Sequence, residues 1–164
     1  MNLISKLEKE DLASPYNQSF IGPLTDLKSM VVVTGLTQAK EQLGKMALEI
    51  SFWRSVLGDG NCFYRAFMFS LLESYILNCD YKSLKRIMYD IKNIRDIKFK
   101  RKDFNLKKHL YEILAIFFII IDELEHFNDI RKAYSYLLKA YSSSYFDYVL
   151  YTFIIYKYNF IGID

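Results

Sequence analysis

Hydrophobic residues recur at three- and four-residue spacing through most of the chain beyond residue 61. This spacing predicts helices, because it gathers the apolar side chains on one face of each helix. The first of the predicted helices begins at Cys62, and four more cover about 81–96, 103–127, 130–142 and 145–158. Neither glycine nor proline occurs between Phe63 and Ile161, so successive helices are favoured over a many-stranded sheet.

The same spacing selects the residues expected to share one face of each helix. In the helix that begins at Cys62 they are Phe63, Ala66, Phe67, Ser70, Leu71 and Ser74. In the 81–96 helix they are Leu84, Ile87, Met88, Ile91 and Ile94. In the 103–127 helix they are Leu106, Leu110, Ile113, Leu114, Phe117, Phe118, Ile121 and Leu124.

The pattern is less regular before residue 62. Residues 1–23 hold both prolines and are predicted to be an N-terminal arm, while residues 24–164 are predicted to be the domain. Within the domain we expect a short strand at 31–33 and a helix at about 37–49 with Thr37 as its N-cap. The stretch SFWRSVLGDGN, residues 51–61, is predicted to be extended and to enter a tight loop.

Length and composition indicate one folded domain. The chain has 164 residues, of which 52% are hydrophobic and 25% charged. The longest apolar run, Ile113 to Ile121, has nine residues, whereas a membrane span needs about 20. We therefore interpret this run as a core helix and expect no membrane partner.

The N-terminus lacks the unbroken apolar segment of a secretory signal, so we expect an intracellular protein of the cytoplasm, and also of the nucleus.

Charge gives little indication of a nucleic-acid partner. The net charge is only +3, and no base-reading motif is present. One basic cluster occurs, formed by Arg95, Lys98, Lys100, Arg101 and Lys102. We interpret this cluster as a solvated loop between helices and predict that the protein does not bind nucleic acid.

The candidate chemistry lies in the stretch LGDGNCFYRAF. The two cysteines, Cys62 and Cys79, show no metal-binding CxxC spacing, and a disulfide between them is left open. Asn61 fits as the N-cap of the helix, and amides at a helix N-terminus favour a thiolate, the reactive form of cysteine. Gly58 and Gly60 allow a sharp turn that aims amides at one point, an arrangement suited to acyl transfer. On spacing alone, however, a cysteine at a helix start is more often a buried core residue.

The sequence of this stretch resembles a known family motif. DGNCFYRAF, residues 59–67, resembles the nucleophile motif of the OTU cysteine proteases, and its continuation FMFSLLE resembles the otubain branch. The resemblance is strong over about residues 52–75 and weaker in helix order beyond. It implies an α+β papain-like OTU fold, of which this chain would hold a predominantly α-helical portion, the helical lobe. It also implies a deubiquitinase that cleaves the bond between ubiquitin and a lysine through a thioester.

Residue by residue, the resemblance makes Cys62 the nucleophile. Asp59 matches the acidic loop residue, whose backbone amide helps to form the oxyanion hole together with the amide of Cys62. Gly60 and Asn61 match the rest of the loop, and the five residues after Cys62 match the helix that packs behind it and supports it. Gly58 stands where many otubains have proline, which implies a less rigid loop. Ubiquitin or polyubiquitin is the implied partner, no metal or organic cofactor is implied, and the oligomeric state is left open.

A cysteine protease also needs a general base, usually a histidine. In otubains this histidine lies in an aromatic-rich strand near the C-terminus, and the present sequence has no such motif. We therefore expect a domain truncated before that segment. The two histidines of the sequence, His109 and His126, are interpreted as solvated helix residues rather than as the base.

Three hypotheses follow. The first is an otubain-type deubiquitinase whose base lies beyond Asp164. The second is a pseudoenzyme or fragment that binds ubiquitin without catalysis. The third is a helical interaction protein in which Cys62 is buried and unreactive.

Overall fold

The computed structural model of the chain describes residues 20–27, 51–93 and 106–157, with the backbone alone at 106–108. The described part contains two strands, β1 (Thr25–Asp26) and β2 (Phe52–Trp53), and five helices: α1 (Cys62–Leu77), α2 (Tyr81–Lys92), α3 (Leu106–Glu125), α4 (Ile130–Ala140) and α5 (Ser144–Lys157). The five predicted helices are confirmed, with ends that shift by a few residues. The predicted strand at 31–33, the helix at 37–49 with Thr37, and the basic cluster from Arg95 to Lys102 lie outside the described residues.

Matching turns reverse the chain between α1 and α2 and between α3 and α4. Cys79 and Asn128 adopt positive φ angles of 52° and 50°, and each is followed by an aspartate that caps the next helix. Asp80 and Asp129 accept hydrogen bonds from amides three residues later, at 3.1 and 2.9 Å. The result is two helical hairpins, in which α3 packs against α2 and α4, while α1 packs against α4 and α5.

The core lies between these helices, and α1 presents to it a different face from the one predicted. Its buried residues are Arg65, Met68, Phe69, Leu72 and Ile76. Phe63 and Phe67, which the spacing grouped on one face, are 59% and 40% exposed. The spacing was ambiguous because α1 is apolar on more than one side, so two faces satisfy the same period.

The predicted faces of α2 and α3 agree better with the structure. Leu84, Ile87 and Ile91 of α2 are buried, and so are most residues of the apolar run in α3. Phe118 is the exception, because it is 64% exposed and its predicted place on the core face is wrong. Ile94 and the side chain of Leu106 lie outside the described residues. Among the described helices, none combines the length and hydropathy needed to cross a membrane.

Residues 20–27 pair with the segment that leads to Cys62. β1 and β2 are antiparallel, and a bridge between Ile21 and Val56 extends the pairing. Gly22 donates to the Ser55 carbonyl at 2.8 Å, and a Cβ at this glycine would lie 2.1 Å from Ser55 Oγ. Ile21 is buried in the core, so the last residues of the predicted N-terminal arm contact the domain. The boundary at residue 24 stays a prediction.

Candidate active site

Cys62 is the first residue of α1, and its thiol is exposed. Asn61 occupies the N-cap position as predicted, although its side chain makes no capping hydrogen bond. The Asn61 carbonyl accepts the first helical hydrogen bond, from the Arg65 amide at 3.0 Å. The thiol therefore lies at the positive end of the helix, and its exposure contradicts the third hypothesis, in which Cys62 is buried.

The loop before Cys62 is shaped by Gly60 and Asp59. Gly60 has a φ of +86°, in the left-handed region where a side chain adds strain. The Asp59 carboxylate accepts a hydrogen bond from the Asn61 amide at 3.0 Å, which closes the turn that leads into α1. The Asp59 amide is itself engaged, because it donates to the Leu57 carbonyl at 3.2 Å.

One guanidinium fixes this loop against the rest of the domain. Arg65 is only 1% exposed and makes five hydrogen bonds, which use all five of its N–H groups. Two go to the Asp147 carboxylate of α5, at 2.6 and 2.8 Å. Two go to the Asp59 carboxylate, at 3.0 and 2.7 Å, and one goes to the Leu57 carbonyl at 2.8 Å. Arg65 thus joins the nucleophile loop to α5.

The pKa values of the two carboxylates beside Arg65 are shifted in opposite directions. The hydrogen bonds from Arg65 lower the pKa of Asp59 below its ordinary value, even though partial burial opposes them. Burial raises the pKa of Asp147, and the hydrogen bond from Arg65 opposes that rise. Burial alone would lower the pKa of Arg65, but the bonds to both carboxylates outweigh it and raise the pKa. The guanidinium is therefore charged at every physiological pH.

A second network holds Arg54, the residue directly after β2, against α1 and α4. Arg54 donates to the Gly22 carbonyl at 2.9 Å and to the Tyr134 hydroxyl, which in turn donates to Glu73. Arg54 also lies 3.6 Å from the Glu73 carboxylate. Burial, followed by the bond to Glu73, raises the pKa of Tyr134 to about 12, so its hydroxyl remains a proton donor. These bonds fix the segment between β2 and the nucleophile loop.

The two histidines have different surroundings, and neither bonds to Cys62. His109 is buried, contrary to prediction: its ring stacks on Tyr145 with centroids 3.7 Å apart, and its Nδ1 lies 3.2 Å from Glu112. His126 is exposed as predicted and lies 2.9 Å from Asp122. Within residues 20–27, 51–93 and 106–157, no side chain forms a hydrogen bond with the thiol of Cys62.

The structure therefore brings together Asp59, Gly60, Asn61 and Cys62, and it adds Asp147, which the sequence analysis missed. A signal was present, because Asp147 is the one acidic residue in the apolar sequence of α5, and a lone carboxylate on such a helix needs a buried partner. Its partner, Arg65, lies 82 residues earlier in the chain. The predicted role of the residues after Cys62 in loop support agrees with the contacts of Arg65.

Comparison with known families agrees with this geometry. The family described as Peptidase C65 Otubain matches residues 17–160, which include both strands, all five described helices and the nucleophile loop. A comparison with curated proteins finds no match. The predicted α+β otubain fold is confirmed, and the described residues form a predominantly helical portion of it. The chain belongs to the otubain family, a family of cysteine peptidases of the deubiquitinase type.

Proposed function

We propose that this chain is a ubiquitin-specific cysteine isopeptidase, with Cys62 as its nucleophile and ubiquitin or polyubiquitin as its substrate. The observation that supports this most directly is the exposed thiol at the N-terminus of α1, directly after a loop held by Arg65. Membership of the otubain family supplies the substrate class.

In the proposed reaction, the Cys62 thiolate attacks the carbonyl carbon that joins the ubiquitin C-terminus to a lysine. The carbonyl electron pair moves to oxygen, where the amides of Cys62 and Asp59 would hold the negative charge. Collapse of this intermediate breaks the C–N bond, and the lysine amine takes up from solvent one proton, equivalent to the one that the Cys62 thiol released to solvent when it ionised. Water then attacks the thioester, which releases the ubiquitin carboxylate and restores the thiol.

The Asp59 amide reaches this role only after it leaves the Leu57 carbonyl, to which it donates at 3.2 Å. Gly60 and Asn61 complete the turn that orients it. The Cys62 amide belongs to the first turn of α1, where amides have no partner within the helix. The proposal therefore includes a small rearrangement of the loop when substrate binds.

A second candidate function is ubiquitin binding without turnover. It is favoured by the surroundings of the two histidines, since His109 contacts Glu112 and Tyr145, and His126 contacts Asp122. Neither of these described histidines forms a hydrogen bond with the Cys62 thiol, whereas a general base needs such a bond to take its proton and return it to the leaving amine.

One pair of measurements separates the two candidates. Intact mass is recorded after incubation with ubiquitin that carries a thiol-reactive C-terminal group, and turnover is followed with diubiquitin. Adduct and turnover support the isopeptidase, whereas adduct without turnover supports the binding module. Cys62→Ala should remove the adduct, while Cys79→Ala, a change in the other cysteine of the sequence, should retain it. A folded wild-type chain that gives no adduct contradicts the isopeptidase.

A further inference from the structure

A buried carboxylate on α5 is connected to the nucleophile loop through one side chain, that of Arg65. Asp147, in the first turn of α5, is 2% exposed, and both of its oxygens accept hydrogen bonds from Arg65. The same guanidinium bonds the Asp59 carboxylate and the Leu57 carbonyl. The guanidinium thus contacts α5 and the loop at once.

The geometry makes this a rigid connection. A guanidinium is planar, so a carboxylate that binds two of its N–H groups fixes the orientation of the remaining ones. Aromatic rings confine the plane further, since the Arg65 guanidinium carbon lies 5.1 Å from the Phe20 ring centroid and 5.9 Å from that of Tyr151. Without Asp147, the bonds to Asp59 and Leu57 would no longer be set by the position of α5.

Apolar side chains also hold α5 against the core. The buried side chains of α5 that belong to the apolar core are Phe146, Val149, Leu150, Phe153 and Ile154. Apolar residues of similar volume often replace a buried ion pair without loss of stability. Packing of α5 alone does not explain why Arg65 and Asp147 form a buried ion pair. The contacts of Arg65 with the nucleophile loop supply an explanation.

We propose that Asp147 is a positioning residue, which acts through Arg65 to hold the loop 57–61 in the form from which Cys62 reacts. The proposal deepens the isopeptidase function and rests on it. Asp147 itself touches neither the thiol nor the substrate in this mechanism. Its effect is on the arrangement of the loop amides and therefore on the rate of attack.

The test compares Asp147→Asn with wild type in the reaction with thiol-reactive ubiquitin. Asparagine keeps the shape and one acceptor, but it turns an N–H toward a guanidinium N–H, so one bond is lost. The maximal labelling rate should fall about tenfold, as expected for a misplaced reacting group, while the half-saturating ubiquitin concentration stays constant. Lys157→Met is the matched control, because it removes the ion pair of α5 with Asp90 and leaves Arg65 untouched.

Two further variants separate positioning from folding. Asp147→Glu restores the charge and should recover part of the lost rate. Arg65→Lys keeps a cation beside Asp147 but cannot bond both carboxylates, so its rate should stay low. If Asp147 were merely structural, Asp147→Asn would reduce the fraction of protein that reacts and leave the rate of the folded fraction unchanged. That result, or a change in the half-saturating concentration alone, would overturn the proposal.

Hydrogen exchange of the loop amides provides a readout that does not require ubiquitin. The amides of Asp59 and Asn61 should exchange faster in Asp147→Asn than in wild type or Lys157→Met. If wild type forms no ubiquitin adduct, the isopeptidase proposal fails, but the exchange rates still decide the positioning role. Equal exchange in Asp147→Asn and wild type would overturn it.

Discussion

Replacing Arg65 by methionine would test how much the buried charges stabilise the domain. The Arg65 side chain is fully buried, and that of Asp147 is only 3% exposed. Methionine fills much of the space of the arginine stem but carries no charge. The Asp147 carboxylate would then remain buried without its cation, while Asp59, whose side chain is 36% exposed, would be solvated by water.

The expected loss is large for one substitution. Removing one partner of a buried ion pair costs about 3–5 kcal/mol, against a total stability of about 5–15 kcal/mol for a typical domain. The contact with Asp59 adds little, because a partly exposed ion pair is worth about 1 kcal/mol at most. With a urea dependence of about 2 kcal/mol per M, the midpoint of unfolding should fall by about 2 M.

The assay is equilibrium urea unfolding at neutral and at mildly acidic pH. In Arg65→Met, burial would raise the pKa of Asp147 without opposition from the guanidinium. Between the unfolded and the raised folded pKa, the native state binds more protons than the unfolded state, so stability falls as pH rises. The loss of unfolding free energy in Arg65→Met relative to wild type should therefore be full above the raised pKa of Asp147. It should shrink as the pH falls through that pKa.

A double variant provides the control. Arg65→Met combined with Asp147→Leu removes both charges and should regain most of the lost stability. Two results would refute the reasoning. One is a loss below about 1 kcal/mol in Arg65→Met, within the range of ordinary substitutions. The other is a double variant that is no more stable than the single one, which would assign the loss to side-chain shape instead of charge.

The remaining predictions concern the loop before Cys62. Gly60→Ala should lower the free energy of unfolding by about 1–2 kcal/mol, because alanine is strained at a φ of +86°. Gly58→Ala is its control and should have a smaller effect, since an added Cβ meets nothing within 4 Å at either glycine but only Gly60 of the two has a positive φ; equal losses in urea unfolding would contradict the argument. Hydrogen bonds from Arg65 lower the pKa of Asp59 in the folded protein. The stability that Asp59 contributes is therefore present above the pKa of Asp59 in the unfolded chain, and it is lost as the pH falls through the pKa of Asp59 in the folded protein. Asp59→Asn should therefore flatten the acid limb of the stability profile, and an unchanged profile would count against this ion pair.

The helices were predictable from the sequence because each depends on local spacing. The start of α1 was predictable as well, since Asn61 and the glycines before it end the extended stretch there. The burial of α1 was not predictable, because a helix that is apolar on several sides offers several possible faces. Only the position of α5 and α4 around it selects the face that contains Arg65 and Met68.

The contacts within the site depend on distances that no local pattern contains. Asp147 and Arg65 meet across 82 residues, and Tyr134 meets Arg54 across 80. The burial of His109 has the same origin, since the ring of Tyr145 in α5 covers it. The motif around Cys62 therefore identified the nucleophile loop, whereas the residues that hold this loop emerge only from the packing of the helices.

The Leu57 carbonyl explains how the loop can be both fixed and able to rearrange. It accepts two hydrogen bonds, one from Arg65 at 2.8 Å and one from the Asp59 amide at 3.2 Å. If the Asp59 amide turns toward a substrate oxyanion, the carbonyl keeps its bond to Arg65 and no polar group is left unsatisfied. The Asp59 carboxylate meanwhile stays bound to the same guanidinium. Arg65 thus permits the amide to change partner while the loop remains attached to α5 through Asp147.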